Sequence, residues 1–206
     1  IARDKGELIR EIFPPLNRSL TGYDLAHIRG EDGRFNPNNI LCGSEGTLAI
    51  ITEATLNLEP IRRHSVLVNL RYDSFDASLR DARALMSARP MAIETVDDRV
   101  LGLARNDYVW ASVGEFFPDD GAPTRGINLV EFAGDDEAEL EHQVEALTAR
   151  LQAGESSARG YTVARGPQVQ QVWAMRKRAV GLLGNVQGEA RPVAFVEDCA
   201  VPPEHL

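Results

Sequence analysis

A strand–helix–strand pattern occurs twice between residues 64 and 183, and it constrains the fold of this chain more than any other feature. HSVLVNLRY (64–72) has the aliphatic and β-branched content of a strand. SFDASLRDARALMSA (74–88) places Leu79, Ala82, Leu85 and Met86 on one side of a helix, with Ser74 or Asp76 to cap it. MAIETV (91–96) reads as a second strand, and DDRVLGLAR opens another helix. The second copy runs through INLVEFA (127–133), a helix over DDEAELEHQVEALTARLQA (135–153), the strand YTVAR (161–165) and a helix across 167–183. The 135–153 helix carries Leu140, Val144, Leu147 and Leu151 as its apolar stripe. Such a repeat predicts an α+β fold, a ferredoxin-like antiparallel or mixed sheet with helices packed on one face. RPVAFVEDCAVP (191–202), apolar on both faces, is expected as a central strand. DYVWASVGEFFPDDGAPTRG (107–126) interrupts the repeat and is expected to form a strand plus an exposed loop.

The first sixty residues follow other rules. Leu8, Ile9, Ile12 and Phe13 have helical spacing within 3–13, and Pro14-Pro15 ends that helix. A Gly-, Asn- and Asp-rich stretch leads to CGSEGTLAIITEATLNL (42–58). From Thr47 the apolar residues alternate, Leu48, Ile50, Leu56 and Leu58 pointing one way, which predicts a long strand. Pro60 and Arg62-Arg63 mark a border near residue 61. The turn Gly43-Ser44-Glu45-Gly46-Thr47 admits two readings. It connects elements, or its consecutive N–H groups form a concavity for an anion or carbonyl. The chain opens without Met and stops just past an apolar run, so a piece of a longer protein is expected.

Composition narrows the function classes. A net charge of −9 argues against a nucleic-acid surface, which needs clustered cations. It leaves room for a small anion held in a locally basic site. Cys42 and Cys199 lack metal-site spacing, and the histidines at 27, 64, 142 and 205 are scattered, so no metal site is expected in this segment. No apolar run approaches the ~20 residues of a membrane span, and no signal peptide is present, which points to the cytoplasm. Asp135, Asp136, Glu137, Glu139 and Glu141 read as a solvated helix start favoured by the helix dipole.

Two charged features are unusual. On a helical wheel Val169, Val172, Trp173, Ala179, Val180 and Leu183 cluster around Arg176, while Lys177 and Arg178 fall outside. A guanidinium on an apolar face needs a partner, either a buried carboxylate or an anionic ligand. Glu197 and Asp198 lie inside the apolar strand PVAFVEDCAV and need partners as well. One of them can be the partner of Arg176, or both can orient the arginine and its ligand.

Taken together, TGYDL (21–25) and GSEGTLAIITEATLNLEP (43–60) resemble the signature of FAD-linked oxidases with a vanillyl-alcohol-oxidase-type flavin domain, although many relatives have Gly where this chain has Ala49. PMAIETVDDRVL (90–101), VWAMRKR (172–178) and PVAFVEDCAVPPEHL (192–206) resemble the C-terminal domain of the same family, the group of glycolate oxidase D subunit, D-lactate dehydrogenase and D-2-hydroxyglutarate dehydrogenase. The resemblance spans nearly the whole chain and is weakest at 105–126 and 135–165. It implies that residues 1–60 are the C-terminal part of an α+β FAD-binding domain and 61–206 a substrate (cap) domain, incomplete at its C-terminus. It implies that Gly43, Ser44, Glu45, Gly46, Thr47 and Ile50 approach FAD, mainly through backbone groups, while Tyr23 and Asp24 shape the preceding loop. Arg176 takes the role of holding the substrate carboxylate, and Asp198 shares that site.

The implied activity is hydride transfer from a D-lactate- or glycolate-like 2-hydroxy acid to flavin. The resemblance puts the catalytic base in histidine-bearing motifs downstream of Leu206 and the pyrophosphate-binding half of the flavin domain upstream of Ile1. This segment alone is therefore expected to be inactive. Electrons would pass to an iron–sulfur module or quinone, with an iron–sulfur cluster in a downstream domain. A homo-oligomer and a membrane-peripheral location are compatible with it. Relatives acting on 2-hydroxyglutarate tend to carry threonine and lysine where this chain has Val180 and Val196, which points away from that substrate. The alternatives are a flavoenzyme of the same fold with an alcohol or other non-acid donor, and a non-catalytic ferredoxin-like binding or dimerisation module.

Overall fold

The computed structural model describes residues 4–13, 22–30 and 32–185. The strand expected at 191–202, with Glu197 and Asp198, lies outside the described residues. The chain divides into two compact units between Glu59 and Pro60.

In the first unit, α1 (Gly6–Ile12) buries Ile9, and α2 (Asn38–Leu41) leads into the glycine turn. Arg29 and Phe35 form an isolated antiparallel bridge between them. The long strand expected from Thr47 is not formed: residues 49–62 are neither helix nor strand. Leu48, Leu56 and Leu58 are exposed, and Ile50 is 90% exposed. The alternation is that of a strand, but a strand exists only through ladder hydrogen bonds to a neighbour, and no described segment pairs with this one.

The second unit follows the repeat closely. Its strands are β1 (His64–Tyr72), β2 (Ala92–Asp97), β3 (Gly126–Gly134) and β4 (Gly160–Arg165). Its main helices are α3 (Phe75–Leu85), α4 (Asp98–Arg105), α5 (Glu137–Gln152) and α6 (Pro167–Leu182). Ser74, Asp97 and Asp136 each accept a hydrogen bond from backbone N–H groups of the turn they open, and so fix where α3, α4 and α5 begin. Pro167 at the first turn of α6 supplies a preset φ where no N–H is needed. The sheet order is β2-β3-β1-β4, every neighbouring pair is antiparallel, and α3 and α5 are the crossovers. This is the α+β, ferredoxin-like antiparallel arrangement.

Alternation along the strands sorts the core into two layers. Val66, Val68, Leu70 and Tyr72 of β1 join Val130 and Phe132 of β3 against Leu85 of α3 and Leu140, Val144 and Leu147 of α5. Leu67, Ile127, Leu129, Val96 and Ala164 face the opposite way, against Leu101 and Ala104 of α4 and Val169, Val172, Met175 and Ala179 of α6. The crossover helices occupy one face, and α4 with α6 adds a second layer on the other. Each such Leu, Val or Phe contributes ~1.5–3 kcal/mol by leaving water.

The segment expected as a strand plus exposed loop has the exposed loop, at 118–123, but 3-10 turns where the strand was expected. Tyr108–Ser112 and Gly114–Phe116 are 3-10 turns. Val113, Phe116 and Phe117 are buried in the α4–α6 layer, and Trp110 stacks on Phe117 at 5.7 Å between centroids. Its apolar spacing is irregular, and short 3-10 turns deliver those aromatics to the core where a strand would send half of them to solvent. No helix among the described residues is long and apolar enough to cross a membrane.

Candidate functional site

The buried residues of α6 are Val169, Val172, Met175 and Ala179, so the helix turns its face slightly away from Arg176, and Val180 is exposed. Arg176 thus lies at the rim of the apolar stripe, its side chain 35% exposed. Its partner is Glu94 of β2, 32% exposed, which accepts a charge-assisted hydrogen bond from the Arg176 Nη2. Glu94 shares its strand face with Val96, which packs into the α4–α6 layer. The Arg176 Nε is buried with no hydrogen-bond partner among the described residues. One turn earlier, Trp173 is half-buried against the same core. Beside it, Glu131 of β3 has its carboxyl pushed above the ordinary carboxylate range by burial, partly offset by the Trp173 indole.

Two more polar groups on this face are buried without a partner among the described residues, the Asn69 Oδ1 and the Arg71 Nε. Ladder register puts Glu94 opposite Leu129, Leu129 opposite Asn69 and Asn69 opposite Thr162, a single row across the sheet beneath α6. Asn69 donates to the Thr162 hydroxyl at 3.3 Å, and Thr162 in turn donates to the Phe116 carbonyl at 2.7 Å. Arg71 donates to the Pro118 carbonyl at 2.6 Å and lies 3.5 Å from the Asp120 carboxylate. Its guanidinium rests on Gly160, where an added Cβ would fall 2.6 Å from Nη2. Arg178 meets Asp107 through two hydrogen bonds of 2.6 and 2.8 Å and covers the Tyr108 ring at 4.3 Å, pinning α6 to the 3-10 segment. That contact holds the Asp107 carboxyl below the usual carboxylate range.

The glycine turn belongs to the first unit. Glu45 and Gly46 both have positive φ, 47° and 77°, and Thr47 N–H donates to the Ser44 carbonyl at 2.9 Å, the pattern of a type I′ turn. Ser44 is buried and its hydroxyl donates to the Leu41 carbonyl. Gly43 is required by the chain itself, since a Cβ there would lie 1.9 Å from the Gly22 carbonyl oxygen. Gly46 is different, with nothing within 4 Å of a Cβ position, so its backbone is open to approach. Tyr23 hydrogen-bonds Thr47 between their hydroxyls at 2.8 Å, and Asp24 accepts from the His27 backbone and ring. Both side chains shape the loop around the turn.

Of the residues singled out in the sequence, the structure places Arg176 at a half-buried ion pair and Gly43–Thr47 in a strained turn with an open backbone edge. Asp198 lies outside the described residues. The carboxylate that Arg176 meets is Glu94, which the sequence reading passed over in favour of Glu197 and Asp198. The signal was present in MAIETV, where Glu94 has the same parity as Val96 and therefore points inward. Glu131 carries the same signal in INLVEFA, in step with Ile127 and Leu129.

Residues 61–206 match the family model described as FAD linked oxidases, C-terminal domain. The chain is 57% identical over 209 residues, covering all of its length, to a Pseudomonas putida protein named D-2-hydroxyglutarate dehydrogenase. An Escherichia coli protein of the same name is 49% identical over 211 residues, or 99% of the chain. A Bacillus subtilis protein named glycolate oxidase subunit GlcD is 26% identical over 204 residues, or 96% of the chain. The chain spans 21% of the length of the first two relatives and 37% of the third.

Proposed function

The chain belongs to the FAD-linked oxidase family, and on that premise we propose that it is part of a flavin-dependent dehydrogenase that removes hydride from a D-2-hydroxy acid. Residues 1–60 would complete a flavin-binding domain, and residues 61–206 would form most of the substrate domain. FAD, when bound, supplies the hydride acceptor. Gly43, Ser44, Glu45, Gly46, Thr47 and Ile50 would lie along its edge. The positive-φ backbone at Glu45 and Gly46, open at Gly46 where a Cβ would stand, fits a group that approaches the main chain. Arg176 would hold the substrate carboxylate, with Asp198 in the same site, and so place the α-carbon for transfer. The base that takes the hydroxyl proton would come from outside this chain.

The observation that carries the reading is the Arg176 guanidinium, half-buried on an apolar helix, with its Nε unpaired among the described residues. A planar cation so placed is suited to a carboxylate ligand. The names of the relatives favour D-2-hydroxyglutarate over the D-lactate- or glycolate-like acid, against the expectation drawn from Val180 and Val196. Electrons would leave through an iron–sulfur module or quinone. The test is a panel of D- and L-2-hydroxy acids with a dye acceptor, run on the full-length protein. Turnover confined to D-2-hydroxy acids and abolished in Arg176→Ala is the expected result. Equal turnover of an uncharged alcohol by the wild type and that variant would refute the assignment.

A further inference from the structure

The Arg176–Glu94 pair lacks the two-pronged form of two other ion pairs in its unit. Arg165 and Arg178, in the same unit, each grip a carboxylate with both Nε and Nη2, Arg165 on Glu141 at 2.8 and 2.8 Å and Arg178 on Asp107 at 2.6 and 2.8 Å. Arg159 spends its donors on Asp73, Asp120, Thr124 and two backbone carbonyls. Each of those arginines is held at two or three of its nitrogens, although the Nη1 of Arg165 and of Arg178 has no partner among the described residues either. Among the described residues Arg176 engages Glu94 through Nη2 alone, while its Nε is shut in without an acceptor. Its Nη1 has no partner among the described residues either. The guanidinium is thus anchored at one nitrogen, enclosed at the second and, among the described residues, unpartnered at the third.

We infer that Glu94 is a positioning residue for substrate recognition: it anchors Nη2 on the sheet side and aims Nη1 at the incoming carboxylate. This rests on the assignment of Arg176 to the substrate. Two features of the fold make the anchor stiff. Glu94 sits on a strand whose register is set by β3, Glu94 lying opposite Leu129. Arg176 sits on a helix packed through Val172, Met175 and Ala179, so the pair joins two rigid elements. Without the anchor, the long arginine side chain regains its rotamers, and ordering them again falls on substrate binding. The effect belongs in KM, because the carboxylate is held alike in the ground and transition states.

The experiment compares Glu94→Gln, Glu94→Asp and Arg176→Lys in the full-length flavoprotein. Steady-state kinetics with the D-2-hydroxy acid are measured beside the ligand-induced rise in unfolding temperature. Glu94→Gln is expected to raise KM about tenfold with kcat within about threefold of wild type, and to lower the ligand-induced shift in step. Glu94→Asp, which keeps the charge and shortens the reach, is expected to fall between. An unchanged KM with a lower unfolding temperature overturns the inference and leaves a structural pair. A lowered KM also overturns it, because Glu94 would then be a competitor for Arg176. Should Glu94→Gln fail to fold, the KM of Glu94→Asp decides in the same two directions. If Arg176→Lys leaves KM untouched, the fault lies in the substrate role of Arg176; if it raises KM while Glu94→Gln does not, only the positioning role fails.

Discussion

The two faces of the sheet treat polar residues in opposite ways. On the α3–α5 face, Tyr72 donates to Asp81 at 2.6 Å, and Ser156 donates to the same carboxylate oxygen at 2.6 Å. Asn128 donates to the Tyr72 hydroxyl at 3.1 Å and to the Ser78 carbonyl at 2.9 Å, and it accepts from Thr95. No atom of this network is among the buried side-chain atoms left unpaired, and the Tyr72 hydroxyl is held protonated by burial and by Asp81. On the α4–α6 face lie the Asn69 Oδ1, the Arg71 Nε and the Arg176 Nε, all buried and unpaired among the described residues. Unsatisfied buried groups cost about 1–3 kcal/mol each, and a fold tolerates them where they serve something beyond its stability. One face pairs its buried polar groups, and the other leaves three of them without a partner among the described residues.

Four substitutions can break or sharpen that contrast. The largest effect is expected from Arg176→Ala, with kcat/KM for the 2-hydroxy acid reduced by at least about a thousandfold and little change in unfolding temperature. A comparable loss of stability would make the α4–α6 face as structural as the other. Asp81→Ala should show the reverse, about 3 kcal/mol of stability lost in denaturant titration, because it strands both the Tyr72 and Ser156 hydroxyls. The kinetic constants of the surviving folded protein should stay near wild type.

Glu131→Gln is expected to stabilise, by less than about 1 kcal/mol at neutral pH. The Glu131 carboxyl is raised by burial, so the folded state binds its proton more tightly than the unfolded chain does. The favourable contribution is complete below the ordinary carboxylate value and is lost as pH rises through the raised one. The gain from the amide should therefore vanish when melts are repeated towards pH 4, and a gain independent of pH would contradict the burial argument. The smallest effect belongs to Arg165→Ala. It breaks a two-pronged but half-exposed pair with Glu141, and chemical denaturation should register no more than about 0.5 kcal/mol.

Legibility in the sequence followed the regularity of the elements. Nine residues from His64 to Tyr72 were recognisable as β1 because Val66, Val68 and Leu70 recur at every second position, and Ser74 announced the start of α3 by its hydroxyl. Arg176 stood out because a cation inside an apolar stripe breaks the pattern. Residues 48–58 misled because alternation reports which way side chains point and says nothing about whether a neighbouring strand is at hand. Phe116 and Phe117 were obscured because irregular turns have no period to detect. Glu94 was missed because its importance comes from a helix 82 residues further along the chain, and pairing across such a span is a property of the sheet order and not of any local stretch.

That sheet order carries a kinetic consequence. No ladder is a hairpin: β1 waits for β3 and β4, and the nearest partners in any pair are Asp97 and Gly126. Chain closure must precede every inter-strand hydrogen bond, and no local contact seeds the sheet. Assembly of the second unit should be slow and all-or-none, with α3 and α5 flickering as isolated helices until the central pair meets. Amide exchange in β1 and β3 would then report global unfolding, and Arg176 would find Glu94 only in the final act of folding.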